Sequence, residues 1–130
     1  MWISALYTSI LALLIVFLSI IVIRSRRKNK VVFADGGVSE LTIARSAHAN
    51  ATEYIPITLL LMFGVESNGG YSVLIHVFGI AFVLGRVIHA RGILKEDIKK
   101  RVLGMQLTFS VIVGLALMNG VYFLIPFLPV

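Results

Sequence analysis

Residues 3 to 23 read ISALYTSILALLIVFLSIIVI and hold no charged side chain. A helix needs about 20 mostly apolar residues to cross the hydrocarbon of a bilayer, and this run meets that length. A cleaved signal sequence would carry a basic segment before a shorter apolar stretch. Neither feature is here, so the stretch reads as a permanent first span.

The rest of the chain agrees. It has 130 residues, 58% of them hydrophobic, with a mean hydropathy of +0.97. A soluble domain of this size has no interior large enough to hide so much apolar surface, so residues 1–130 read as a single membrane domain. There is no cysteine, which excludes disulfides, thiolate metal sites and cysteine nucleophiles and leaves the redox compartment open. The net charge of +6 sits in two clusters, Arg24, Arg26, Arg27, Lys28 and Lys30, then Arg91, Lys95, Lys99, Lys100 and Arg101. Both flank long apolar runs, as loops facing anionic lipid do. Without a soluble platform to carry them, they argue against nucleic-acid binding.

Three further helices follow. The second is expected from Ser39, an N-cap after the turn-forming Asp35-Gly36-Gly37, with its span over about 41–65. Glu66-Ser67-Asn68-Gly69-Gly70 reads as a turn. The third span covers about 71–91 and the fourth about 101–124, with Pro126 and Pro129 ending it. The expected fold is an all-α, four-transmembrane-helix bundle. An even number of crossings separates the two basic loops, so they share a side. By the positive-inside rule that side is the cytoplasm, with both termini opposite.

The second helix opens with ARSAHANATEYIP, residues 44–56, packing Arg45, His48, Asn50 and Glu53 into nine residues. Arg86 and His89 close the third helix, and Arg101 opens the fourth from the same side. All fall in the cytoplasmic third of the bundle. Arg45 and His48, Asn50 and Glu53, and Arg86 and His89 are each three residues apart, so each pair shares a helix face. A charge at membrane depth costs about 2.5–3.5 kcal/mol, and an inward pairing of Glu53 with Arg86 would relieve it. Plainer readings apply to the other polar residues. Arg45 and Arg91 snorkel to headgroups, Lys95, Lys99 and Lys100 form a solvated loop, and His76 is an interhelical hydrogen-bonder. Three histidines without acids at ligand spacing make no metal site. A purely structural Asn50–Glu53–Arg86 network is a competing reading, but it leaves His89 and Arg101 unexplained.

ADGGVSELTIARSAHANATEYIP, LGRVIHARGI and KRVLGMQLT resemble the bacterial branch of the MAPEG family, the membrane-associated proteins in eicosanoid and glutathione metabolism. The resemblance runs over essentially the whole chain. It implies a homotrimer in the bacterial inner membrane, with glutathione as co-substrate between adjacent subunits near the cytoplasmic face. It implies an enzyme that turns the glutathione thiolate on lipophilic electrophiles or lipid peroxides. His48, Asn50, Glu53, Arg86 and His89 correspond to the family's glutathione-holding positions. Arg101 aligns, after a one-residue gap, with the arginine that stabilises the thiolate. Ser46 stands where many relatives have arginine, and Ile93 and Met105 stand where some eicosanoid enzymes have tyrosine; these departures argue against a dedicated eicosanoid activity.

The chemistry suits these residue types. Glutathione carries two carboxylates and an ammonium; guanidinium forks match the former, and Glu53 is expected to take the latter. A fixed cation and a helix N-terminus together favour a thiolate. Two alternatives stand beside this reading. A small multidrug-exporter subunit would need a carboxylate inside the first helix, which has none. A non-catalytic protein of the same fold is separated by assaying thiol conjugation on purified protein.

Overall fold

The computed structural model describes residues 2–125. These form four helices, α1 Ile3–Asn29, α2 Ser39–Ser67, α3 Ser72–Leu94 and α4 Ile98–Leu124. The expected four-helix bundle is what forms. Three of the helices, α1, α3 and α4, are long and apolar enough to cross a membrane. The exception is α2, long enough but loaded in its first half with the polar residues of ARSAHANATEYIP.

The helices outrun the apolar stretches. α1 continues past Ile23 through the basic run to Asn29, because lysine and arginine are good helix formers and suit the negative end of the helix dipole. Lys30 then turns left-handed, and its amide donates back to Arg26 and Arg27. α2 starts with Ser39 as its first helical residue; Val38 is the N-cap and brings no side-chain bond, so Ser39 is not the expected cap. α4 starts ahead of Lys100 because Asp97 caps it, accepting from the Lys100 amide at 3.1 Å. Pro126 and Pro129 lie outside the described residues.

The expected turn at Glu66 also begins later. Glu66 stays helical, and its carboxylate reaches the start of α1, taking the amide of Ser4 at 2.9 Å, the Ser4 hydroxyl at 2.5 Å and the amide of Ile3. α1 has no capping side chain of its own, so α2 satisfies amides that would otherwise face an apolar surround. Burial pushes the Glu66 carboxyl up, but the Ser4 hydroxyl and the Ser4 and Ile3 amides outweigh it and hold the group below its ordinary range.

α2 and α3 lie between α1 and α4, which do not touch. Leu11, Leu18, Ile55, Met62, Ile75, Phe82, Val111 and Leu115 fill the core. Outward faces are apolar as well: Leu13 is 71% exposed and Leu117 66%. Water would penalise such a surface and lipid accepts it. The tightest crossing joins α3 to α4 through glycines. A Cβ on Gly104 would stand 2.5 Å from the His89 amide nitrogen, and one on Gly92 would stand 2.4 Å from that of Arg101. The up-down connections bring both basic loops to one end of the bundle, and Glu66 with the α1 start to the other. At that other end Tyr7, seated against Gly79, has its hydroxyl 2.8 Å from His76 Nδ1. His76 is thus a hydrogen-bonder between helices.

Candidate functional site

At the basic end, Thr42, Ser46 and Asn50 recur at four-residue spacing along one face of α2. Opposite them stand Gly92 and Ile93 from the end of α3, Glu96 and Asp97 from the connection, and Arg101 from the first turns of α4. Between the two walls lies a groove of about 400 Å³. Gly92 is what lets α4 come close enough to form the second wall. The Arg101 side chain is exposed and has no hydrogen-bond or ion-pair partner among the described residues. Glu96 is exposed too, held at the rim by a left-handed backbone turn with φ of 54°. Asp97 is occupied elsewhere. Its carboxylate takes the Lys100 side chain at 2.9 Å and the Lys100 amide, which hold it below the usual carboxylate range.

Arg86 lies outside that groove, fully buried at 0% exposure. Nη2 donates to Asn50 Oδ1 at 2.5 Å and Nη1 to Thr108 Oγ1 at 3.2 Å. The guanidinium carbon sits 5.6 Å from the centre of the Tyr54 ring, a cation–π contact, and Nε has no hydrogen-bond partner among the described residues. The expected Glu53–Arg86 pair does not form: Glu53 is exposed and has no ion-pair partner among the described residues. The reason is azimuth. Three residues turn a helix through about 300°, so Asn50 and Glu53 stand roughly 60° apart, whereas Asn50 and Tyr54 differ by only about 40°. The helix buries the Asn50–Tyr54 side and leaves Glu53 outside. Arg86 therefore has an amide, a hydroxyl and an aromatic face around it, and no carboxylate among the described residues.

His89 is likewise buried, at 2% exposure. Its Nδ1 lies 2.7 Å from the main-chain oxygen of Arg101. A carbonyl only accepts, so Nδ1 carries the proton. His48 faces away from both, toward α1, where Nε2 is 2.9 Å from Ser19 Oγ. The Ser19 hydroxyl donates to the Ile15 carbonyl, so His48 donates to Ser19. A second groove, of about 510 Å³, runs along this α1 side of α2, lined by Arg26, Arg45 and His48 with three hydroxyl-bearing residues. Arg45 approaches Asp35 at 3.7 Å, both side chains well exposed.

The structure thus gathers the expected polar residues at one end and sorts them around α2. Asn50 and Arg101 face one groove, Arg86 and His89 stand behind them, His48 faces the other groove, and Glu53 points outward. Thr108, Tyr54, Ser19 and Glu96 escape a reading based on charge clusters. Thr108 and Ser19 look like ordinary membrane-helix hydroxyls, and only the four-residue step from Asn50 to Tyr54 carries a signal.

The sequence model of the MAPEG family matches residues 4–121. The chain is 38% identical over 117 residues to the inner membrane protein YecN of Escherichia coli strain K12, covering 90% of this chain and 89% of that protein. It has the same identity and coverage with the YecN of Escherichia coli O6:H1. With a match of that extent on a bundle of apolar helices, the chain is an integral membrane protein that belongs to the MAPEG family.

Proposed function

We propose that this protein is a membrane-bound, glutathione-dependent transferase with peroxidase-like capacity, acting on lipophilic electrophiles or lipid peroxides. The observation that carries the reading is the groove between α2 and α4, lined by Asn50 and by Arg101, whose side chain has no partner among the described residues, with Glu96 at the rim. Asn50 Oδ1 is engaged by Arg86, so its NH₂ is left to donate. The donor set suits an anion beside an ammonium: Arg101 and the Asn50 amide for carboxylate or thiolate, Glu96 for the ammonium. Glu53, expected to take the ammonium, stands outside this groove and leaves that role to Glu96.

Arg101 lies in the first turns of α4, where its charge adds to the N-terminal dipole. A thiol of ordinary pKa about 8.5 is mostly protonated at neutral pH, and such a field shifts it toward thiolate. The thiol proton passes to solvent. The sulfur then forms a carbon–sulfur bond as the electrophile's leaving group departs with its electron pair, the electrophile having entered sideways from the bilayer.

The same reading places both basic loops in the cytoplasm and both termini on the far side, with four crossings. It assembles the chain as a homotrimer. The supporting observation is α2, whose outward flank presents Glu53 and Thr52. In lipid such a flank is costly, and a neighbouring copy would cover it. The second groove, with Arg26 and Arg45, opens on that same helix.

Calorimetric titration of the detergent-solubilised protein with reduced glutathione, followed by conjugation to an aromatic halide, tests the reading. Binding with turnover supports it. Binding without turnover supports the non-catalytic alternative, which Ile93 in the groove wall favours because it supplies no phenol. No binding refutes the glutathione-dependent reading and leaves the non-catalytic one.

A further inference from the structure

We propose that Arg86 and His89 are positioning residues rather than ligand contacts: Arg86 fixes the amide of Asn50, and His89 fixes the main chain of Arg101. The inference rests on the groove being the glutathione site and deepens that reading. Neither side chain lines the groove, and both are buried, at 0% and 2% exposure. Each is bonded to one of the two residues, Asn50 and Arg101, that supply the groove's proposed anion donors. Arg86 spans Thr108 Oγ1 and Asn50 Oδ1, and Thr108 is itself tied to the Gly104 carbonyl at 2.9 Å. The Asn50 amide therefore cannot flip, because its oxygen is held from behind, and it presents donors only. His89 donates Nδ1–H to the Arg101 carbonyl across the glycine crossing, where Gly104 abuts the His89 backbone and Gly92 abuts that of Arg101. The two residues stand one turn apart on α3, so one rigid helix sets both walls. An anion entering the groove meets two fixed donors instead of two mobile ones, and loses less ordering entropy on binding.

The test rests on which histidine nitrogen matters. An asparagine amide nitrogen superposes on Nδ1 of histidine, and a glutamine amide nitrogen on Nε2. Full-length variants in detergent are titrated with reduced glutathione, with circular dichroism confirming the fold. His89→Asn keeps the donor to Arg101 and retains affinity within about twofold, while His89→Gln loses about three- to tenfold, the worth of one net hydrogen bond. The reverse order would show His89 touching the ligand through Nε2 and overturn the proposal. Thr108→Val, a residue outside the groove, is expected to lose a similar factor by releasing Arg86; unchanged affinity overturns the Arg86 half. Arg86→Lys keeps the charge without the fork, so wild-type affinity in that variant would show a purely electrostatic role and overturn it too. Nitrogen NMR of labelled histidine supplies a readout independent of glutathione. His89 is expected as the Nδ1–H tautomer in the wild type, and the Nε2–H tautomer refutes the proposal even if glutathione binds. Failure of the wild type to bind glutathione sinks the functional reading alone, and the tautomer then decides this one.

Discussion

Replacing Gly104 by alanine tests the crossing on which the proposed site depends. The new Cβ would lie 2.5 Å from the His89 amide nitrogen, 2.6 Å from the Gly85 carbonyl oxygen and 2.6 Å from His89 Cβ. Two of these are backbone atoms, so no rotamer change relieves them. Ordinary contact begins near 3.4 Å, so α3 and α4 must part by about 0.9 Å, an overpacking strain of about 1–3 kcal/mol. That displacement takes the His89–Arg101 bond from 2.7 Å to about 3.6 Å, beyond hydrogen-bonding reach, losing about 1 kcal/mol more. Alanine's better helix propensity returns about 1 kcal/mol, leaving a net loss of about 1–3 kcal/mol. Gly120→Ala is the internal control, because its Cβ would meet nothing within 4 Å and the propensity gain stands alone. Both are measured as the midpoint of SDS-driven unfolding in mixed micelles, followed by circular dichroism. Gly104→Ala should lower the midpoint and Gly120→Ala should hold or raise it. Equal midpoints for Gly104→Ala and wild type would refute the close crossing, and with it the geometry assigned to Arg101.

Arg101→Gln should leave folding intact but raise the thiol pKa of bound glutathione and cut turnover by about 10- to 1000-fold, as expected on losing one electrostatic stabiliser; an unchanged thiolate absorbance titration would reject Arg101. Glu53→Gln should change unfolding of the single chain by no more than about 0.5 kcal/mol, because Glu53 has no ion-pair partner among the described residues. A large loss there, recovered in a double variant with Arg86→Met, would restore their pairing. Because Glu66 titrates below its ordinary range when folded, its contribution is present above the unfolded value of about 4.3 and is lost as pH falls through the folded one. Glu66→Gln should flatten that acid limb of the unfolding curve, and an unaltered limb would reject the cap on α1. A reporter following Val130 should lie on the opposite side of the membrane from one inserted at Lys95, and finding both on one side would refute four crossings.

The helices were legible because length and apolarity are one-dimensional properties, and a stretch such as residues 3–23 states both. Their ends were less so, because capping here is settled across the bundle. Glu66 closes α1 from more than sixty residues away, and nothing in the local sequence around Trp2 or Ile3 announces it. Asp97 is the opposite case. Its cap on α4 acts over three residues, and a reading keyed to lysines and arginines passed over it. Ser39 shows the converse error, a residue of the right type one position inside the helix it was expected to cap.

Position along the bundle was readable for the site, and azimuth around α2 was not. Spacing tells which residues of one helix lie near each other, but a three-residue and a four-residue step fall on either side of the same line. Only the packing partner decides between them. From Asn50 the three-residue step leads to Glu53 and the four-residue step to Tyr54. Charge complementarity pointed to the first, and the structure takes the second. The choice has a chemical consequence. A carboxylate on Arg86 would neutralise it within the bundle, and Asn50 would then be free to turn its own oxygen toward the groove, repelling an anion. With the amide in the carboxylate's place, the oxygen is bound behind and the nitrogen is presented in front. A buried guanidinium without a carboxylate costs the fold stability, which is acceptable where the cost fixes the polarity of a neighbouring amide.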